Sequence, residues 1–167
     1  MTPPATTTEP GEAAPATDAP ALAGLIGEYR YRGGRQSATK SIEAVVNEMS
    51  ALVRSIARKR LTEANRIPSK LSIAQTGDEV TVTIDGRAYT ASLGGAAKSV
   101  KDANGEASRM RFQLRGAALY QLLDAADGDR TNVYTRRDDG GIDMAVRITS
   151  KRLPSDVRYK LSFKPAQ

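Results

Sequence analysis

The sequence predicts a mainly β protein: an up-and-down antiparallel meander of about ten strands forming a barrel, with one long amphipathic helix between strands 1 and 2. Three observations carry this. Turn signals recur about every ten residues after Pro68, and the segments between them alternate apolar with polar residues. An apolar stripe at spacings of three and four runs from Ile42 to Ile56. A single alternating segment, Gly24–Arg32, precedes that stripe and ends at Gly33-Gly34.

Residues 1–22, MTPPATTTEPGEAAPATDAPAL, hold almost only Pro, Ala, Thr and acidic residues. Such a segment has too little apolar surface to offset the entropy of ordering it, so it is expected to be a disordered tail or linker. A single domain over residues 23–167 is expected to follow. Of the net charge of +6, the tail contributes −3 through Glu9, Glu12 and Asp18, which leaves the domain at +9. The first residues have neither a basic start nor an apolar stretch, so they are not a signal peptide. Pro/Ala/Thr spacers of this kind follow export signals, and a Cys-free chain tolerates an oxidising compartment. The location expected is therefore the bacterial periplasm or secretion, the presumed export signal having been removed, with a cytoplasmic protein as the alternative.

The helix is expected over residues 37–64, with Ser37 as its cap and Pro68 closing the region after Asn65. Ile42, Val45, Val46, Met49, Leu52, Val53 and Ile56 form its stripe. Glu43 and Glu48 precede Arg54, Arg58, Lys59 and Arg60, an order that suits the helix dipole. Buried, the stripe is worth roughly 10–20 kcal/mol gross. It is expected to meet the inner face of the sheet, as a lid over the barrel mouth or within a partly open sheet.

Beyond Pro68 the turns fall at Gly77-Asp78, Asp85-Gly86, Gly94-Gly95, Asn104-Gly105, Gly116, Asp127-Gly128, Gly140-Gly141 and Pro154. Val80, Val82 and Ile84 alternate with Glu79, Thr81 and Thr83, and Val157, Tyr159, Leu161 and Phe163 with Arg158, Lys160, Ser162 and Lys164. Strands joined by short turns lie beside their sequence neighbours, and curling into a barrel removes exposed edges.

Composition narrows function. The chain has no Cys, His or Trp, which excludes disulfides, thiol chemistry, the usual zinc ligand sets and His-based triads. No enzymatic activity and no cofactor or metal is expected. No apolar run approaches the roughly 20 residues of a membrane-spanning helix. Asp124, Asp127, Asp129, Asp138 and Asp139 cluster at turns, where Asp-Gly is what tight hairpins demand.

The order strand, helix, meander, with Gly27-Glu28-Tyr29 where such families show Gly-x-Trp, resembles the calycin group, above all fatty-acid-binding proteins and, less closely, lipocalins. Ser150-Lys151-Arg152-Leu153-Pro154 followed by Tyr159-Lys160-Leu161-Ser162-Phe163 is similar to exported bacterial proteins of the same group. The resemblance implies a barrel that carries a small apolar, lipid-like ligand. It does not extend to the Arg-x-Tyr pair with which fatty-acid-binding proteins hold a carboxylate. Here Arg158 and Tyr159 are adjacent and face opposite ways.

By alternation Tyr29, Tyr31, Met110, Phe112, Met144, Val146 and Tyr159 line the inner face, as a ligand site or simply as core. Strand 131–137 has two readings. Either Asn132, Tyr134 and Arg136 face inward as a polar cluster with a cation for an acidic head group, or Val133 and Thr135 do. The second candidate is the basic surface, with Arg54, Arg58, Lys59 and Arg60 on the helix and Arg109, Arg111 and Arg115 on one strand face. It suits an anionic surface, polymer or protein partner, and no specific nucleic-acid motif accompanies it. Two functions follow: non-enzymatic carriage of an apolar small molecule inside the barrel, or an interaction module whose helix fills the barrel and whose basic surface meets a partner.

Overall fold

A computed structural model describes residues 22–102 and 105–166. Ten antiparallel strands are present: β1 (Gly27–Gly33), β2 (Lys70–Thr76), β3 (Glu79–Ile84), β4 (Arg87–Ser92), β5 (Lys98–Lys101), β6 (Ala107–Arg115), β7 (Ala118–Ala125), β8 (Gly128–Arg136), β9 (Ile142–Ser150) and β10 (Val157–Pro165). Two helices, α1 (Arg35–Asn47) and α2 (Ala51–Ala64), lie between β1 and β2. The expected tail lies outside the described residues except for Leu22, which is buried with Leu25. Asn104 of the expected Asn104-Gly105 turn also lies outside them.

The sheet runs β4-β3-β2-β1-β10-β9-β8-β7-β6-β5. First and last strands pair, Tyr29 opposite Pro165 and Tyr31 opposite Phe163, so the meander wraps round on itself. Sequence neighbours pair throughout except at β4 and β5. There the wall has a seam, bridged by Leu93 beside Phe112 and by the Gly94 amide donating to the Phe112 carbonyl at 2.8 Å.

One long helix was expected over 37–64, and two are found. The chain breaks between Asn47 and Ser50, after which the apolar stripe no longer points at the core. Ile42, Val45 and Val46 are buried on α1, each worth roughly 1.5–3 kcal/mol. Leu52, Val53 and Ile56 are exposed, Leu52 at 90%, and α2 has no buried residue. Its inward face is instead Ala57 and Leu61, half-buried against the core.

Ser37 does not cap the helix. Gly34 takes the N-cap position, at φ +111, because a β-carbon there would sit 2.3 Å from the Lys160 carbonyl oxygen and 2.9 Å from the Leu161 Cα. Ser37 has another task. β1 ends opposite Ser162, leaving the amides of Arg158 and Lys160 on β10 without a neighbouring strand. Ser41 Oγ accepts from the Arg158 amide at 2.9 Å and Ser37 Oγ from the Lys160 amide at 3.3 Å. So α1 stands in for a strand along the edge of β10. The charge order expected to suit the dipole is absent from the terminal turns of both helices. Glu43 instead accepts from Arg58 at 2.7 and 3.1 Å, tying α1 to α2.

Candidate functional site

Inside the barrel most side chains are aliphatic or aromatic, and they fill it. Met110, Phe112 and Tyr134 have no water-accessible surface, and Met144 has almost none. Tyr29, Val146 and Tyr159 are buried too, whereas Tyr31 is half-buried and meets Phe163 edge-on, ring centroids 6.2 Å apart. Ile42, Val45 and Val46 of α1 belong to the same buried cluster as these strand side chains, whereas α2 buries no residue in it.

The two readings of strand 131–137 are resolved by register. Asn132 lies opposite Val146 and Gln121, and Tyr134 opposite Met144 and Leu119, so the even-numbered residues of β8 face inward. Val133 and Thr135 face out. Arg136 shares the parity of Asn132 but sits at the strand end, exposed, and so is no interior cation. Its charge acts on the Tyr29 phenol, which burial nevertheless pushes above its ordinary value. Tyr29 donates to the Leu25 carbonyl at 2.8 Å, a structural bond.

The interior cation is Arg130, at the opposite end of the same inward row. A continuous polar string begins at Gln121, 1% exposed. Its Oε1 accepts from the Tyr134 hydroxyl at 2.7 Å and from Asn132 Nδ2 at 3.1 Å. Its Nε2 faces Met110 Sδ at 3.4 Å. Asn132 Oδ1 accepts from Arg130 Nε at 3.1 Å. The Arg130 guanidinium then reaches the barrel mouth, donating through Nη1 to Asn65 Oδ1 at 3.0 Å and to the Ala64 carbonyl at 3.4 Å. Nη2 lies 3.4 Å from the Tyr159 hydroxyl, which itself donates to Asn65 Oδ1 at 2.9 Å. Desolvation raises the Tyr134 phenol far above its ordinary range, so it remains a neutral donor.

Arg130 therefore touches four neutral acceptors and, among the described residues, no carboxylate. A half-buried guanidinium held only by neutral groups keeps its charge uncompensated and can take an anion. Asn65, Gln121 and Arg130 went unsuggested by sequence reasoning. Arg130 shares the parity of Asn132 and Tyr134, a signal that was present; Asn65 is brought in by the end of α2, which no local pattern shows.

The basic surface is paired only in part: of the candidate cations on α2 and β6, Arg58 alone meets a carboxylate among the described residues, and the other ion pairs lie elsewhere. Arg147 and Arg158 share Asp156 at 2.9 and 3.4 Å, and Arg137 meets Asp143 at 2.8 Å. Arg115 stacks over Tyr120, 4.4 Å from its centroid. A concavity of about 590 Å³ opens on this outer face, floored by Tyr120, Leu122 and Val133. Among the described residues no helix is long and apolar enough to cross a membrane.

No protein-family model and no curated protein matches the sequence. Solved structures do match. The REP1-NXSQ fatty acid transporter superposes with a TM-score of 0.56 at 14% identity, covering 87% of this chain and 98% of that one. The Schistosoma mansoni fatty acid binding protein in complex with arachidonic acid gives 0.55 at 15%, covering 88% and 99%. The fluorescent protein UnaG gives 0.59 at 14%, covering 87% and 99%. At such identities the likeness concerns architecture, and this chain has the ten-stranded, two-helix barrel fold of fatty-acid-binding proteins.

Proposed function

We propose that the protein binds a small apolar ligand carrying an anionic head group, with the head at Arg130 and Tyr159 and the apolar part inside the barrel mouth. The observation that carries this is Arg130: an inward cation beside a hydroxyl donor, with neutral partners only. Structural neighbours whose names include fatty acid transport and binding support the same reading at the level of fold. Room for the apolar part comes from repacking. Met110 and Met144 are unbranched and adaptable, and Ala57 and Leu61 of the overlying α2 are only half-buried. Location in the bacterial envelope, with residues 1–22 as a spacer, belongs to the same proposal.

The test is a titration with a fluorescent fatty acid at low and high salt, on the wild-type protein and Arg130→Gln. Saturable one-to-one binding that survives salt, weakened about tenfold or more in the variant, is expected, since a charge-assisted pair is lost. Equal affinity in the two proteins would sink the assignment of the head group. Met144→Asp, which places a charge among filled side chains, is expected to abolish binding.

A second reading, an interaction module acting through its basic surface, is favoured by the closed packing of the interior. It expects no fatty-acid binding, and contacts with anionic partners that weaken steeply as salt rises.

A further inference from the structure

We infer that Asn65 is a latch holding α2 over the barrel mouth, and that an anionic ligand arriving at Arg130 releases it. This rests on the anionic ligand proposed above. Asn65 is the C-cap of α2 and is 4% exposed. Its Oδ1 takes two donors from the barrel wall, Arg130 Nη1 at 3.0 Å and the Tyr159 hydroxyl at 2.9 Å. Its Nδ2 turns back to the Leu61 carbonyl at 2.8 Å, within α2. One side chain thus joins the last turn of α2 to β8 and β10. The Ala64 carbonyl adds a fourth bond to Arg130 at 3.4 Å.

The rest of α2 is weakly held. It buries no side chain completely, and its other polar ties, from Arg54 and Arg58, run to α1 and the residues just after it rather than to the barrel. The latch therefore carries a large share of the attachment of α2 to the strands.

An Asn amide oxygen is a neutral acceptor, whereas a carboxylate or phosphate brings a full charge and two oxygens that match the guanidinium fork. Such a head group at Arg130 and Tyr159 takes both donors that Asn65 Oδ1 now uses. A buried amide oxygen left without a donor is costly, and the cost is relieved when the last turn of α2 lifts and Asn65 reaches water. Binding and release of the helix are then one event, and the trigger is charge rather than bulk.

Hydrogen exchange of the α2 amides, read against those of α1, tests this in the full chain. Without ligand, Asn65→Ala should speed α2 exchange about tenfold or more, as expected for losing hydrogen bonds to a charged group. Asn65→Asp supplies a carboxylate to Arg130, so it should slow α2 exchange and weaken the binding of oleate. In the wild-type protein oleate should speed α2 exchange, and oleyl alcohol, with the same chain and no charge, should not. Unchanged α2 exchange in Asn65→Ala overturns the latch. Calorimetric binding of oleate with α2 exchange unchanged or slowed overturns its release by ligand while the binding reading stands. Absence of oleate binding overturns that reading, and ligand-driven release with it.

Discussion

The helices α1 and α2 follow one another in sequence, share one apolar periodicity, and are used in opposite ways. α1 buries Ile42, Val45 and Val46 and occupies the edge of β10, where Ser37 and Ser41 accept bonds that a strand would otherwise accept. α2 leaves Leu52, Val53 and Ile56 in water and meets the barrel through half-buried residues and Asn65. Amphipathic periodicity announces a helix. Whether the helix is part of the core or a cover over it depends on the tertiary surface it meets.

The sharpest way to break this comparison is the same substitution on both helices. Ile42→Ala should cost about 2–5 kcal/mol in urea unfolding, because Ile42 is 5% exposed and its removal leaves a cavity. Ile56→Ala, at a residue 57% exposed, should fall within about 0.5 kcal/mol of wild type. Similar losses at both sites would mean that α2 belongs to the core as fully as α1 does.

A smaller effect is expected at the serines. Ser37→Ala and Ser41→Ala each remove an acceptor from a β10 amide, and about 1 kcal/mol of stability should go with each. The loss should appear as faster exchange of the Arg158 and Lys160 amides specifically. Unaltered protection at those two amides would show that water replaces the serines without penalty.

The smallest effect concerns the tie between the helices. Hydrogen bonds from Arg58 hold the Glu43 carboxyl below its ordinary value; they outweigh the opposing desolvation, and the guanidinium charge adds to them. A depressed folded-state value means the tie is present in full above the unfolded carboxyl value, near pH 4.3, and fades as pH falls through the folded one. Protection of α2 relative to α1 should therefore decline on acidification below about pH 4. Glu43→Gln should be insensitive over the same range. An acid response equal in both proteins would place the sensitive group elsewhere.

Much of the architecture is legible in the residues. The alternation on β3, β6, β9 and β10 and the Gly and Asp at the turns suffice for a ten-stranded meander, because a strand half in water and half in core must alternate. The break in the helix is not legible, since the stripe from Ile42 to Ile56 keeps its period straight across Asn47–Ser50. Strand β8 is opaque for another reason. Its inward row, Arg130, Asn132, Tyr134, is the polar one, and apolar Val133 faces out. Hydrophobicity alone points such a strand the wrong way, and only pairing with Leu119 and Met144 decides it. The interior cation consequently falls at Arg130, at the far end of the row from Arg136.

The seam between β4 and β5 bears on how these molecules behave toward one another. A closed barrel offers no free strand edges, but this wall has two, and free edges invite pairing with a second copy and growth into fibrils. The exposed edge here is short: β5 has four residues, with Lys98 and Lys101 at its ends. Lys98 reaches across the seam to Glu79 on β3 at 3.8 Å. A brief, lysine-bounded strand is a poor template for another backbone, so on the β5 side the opening in the wall carries its own guard against such pairing.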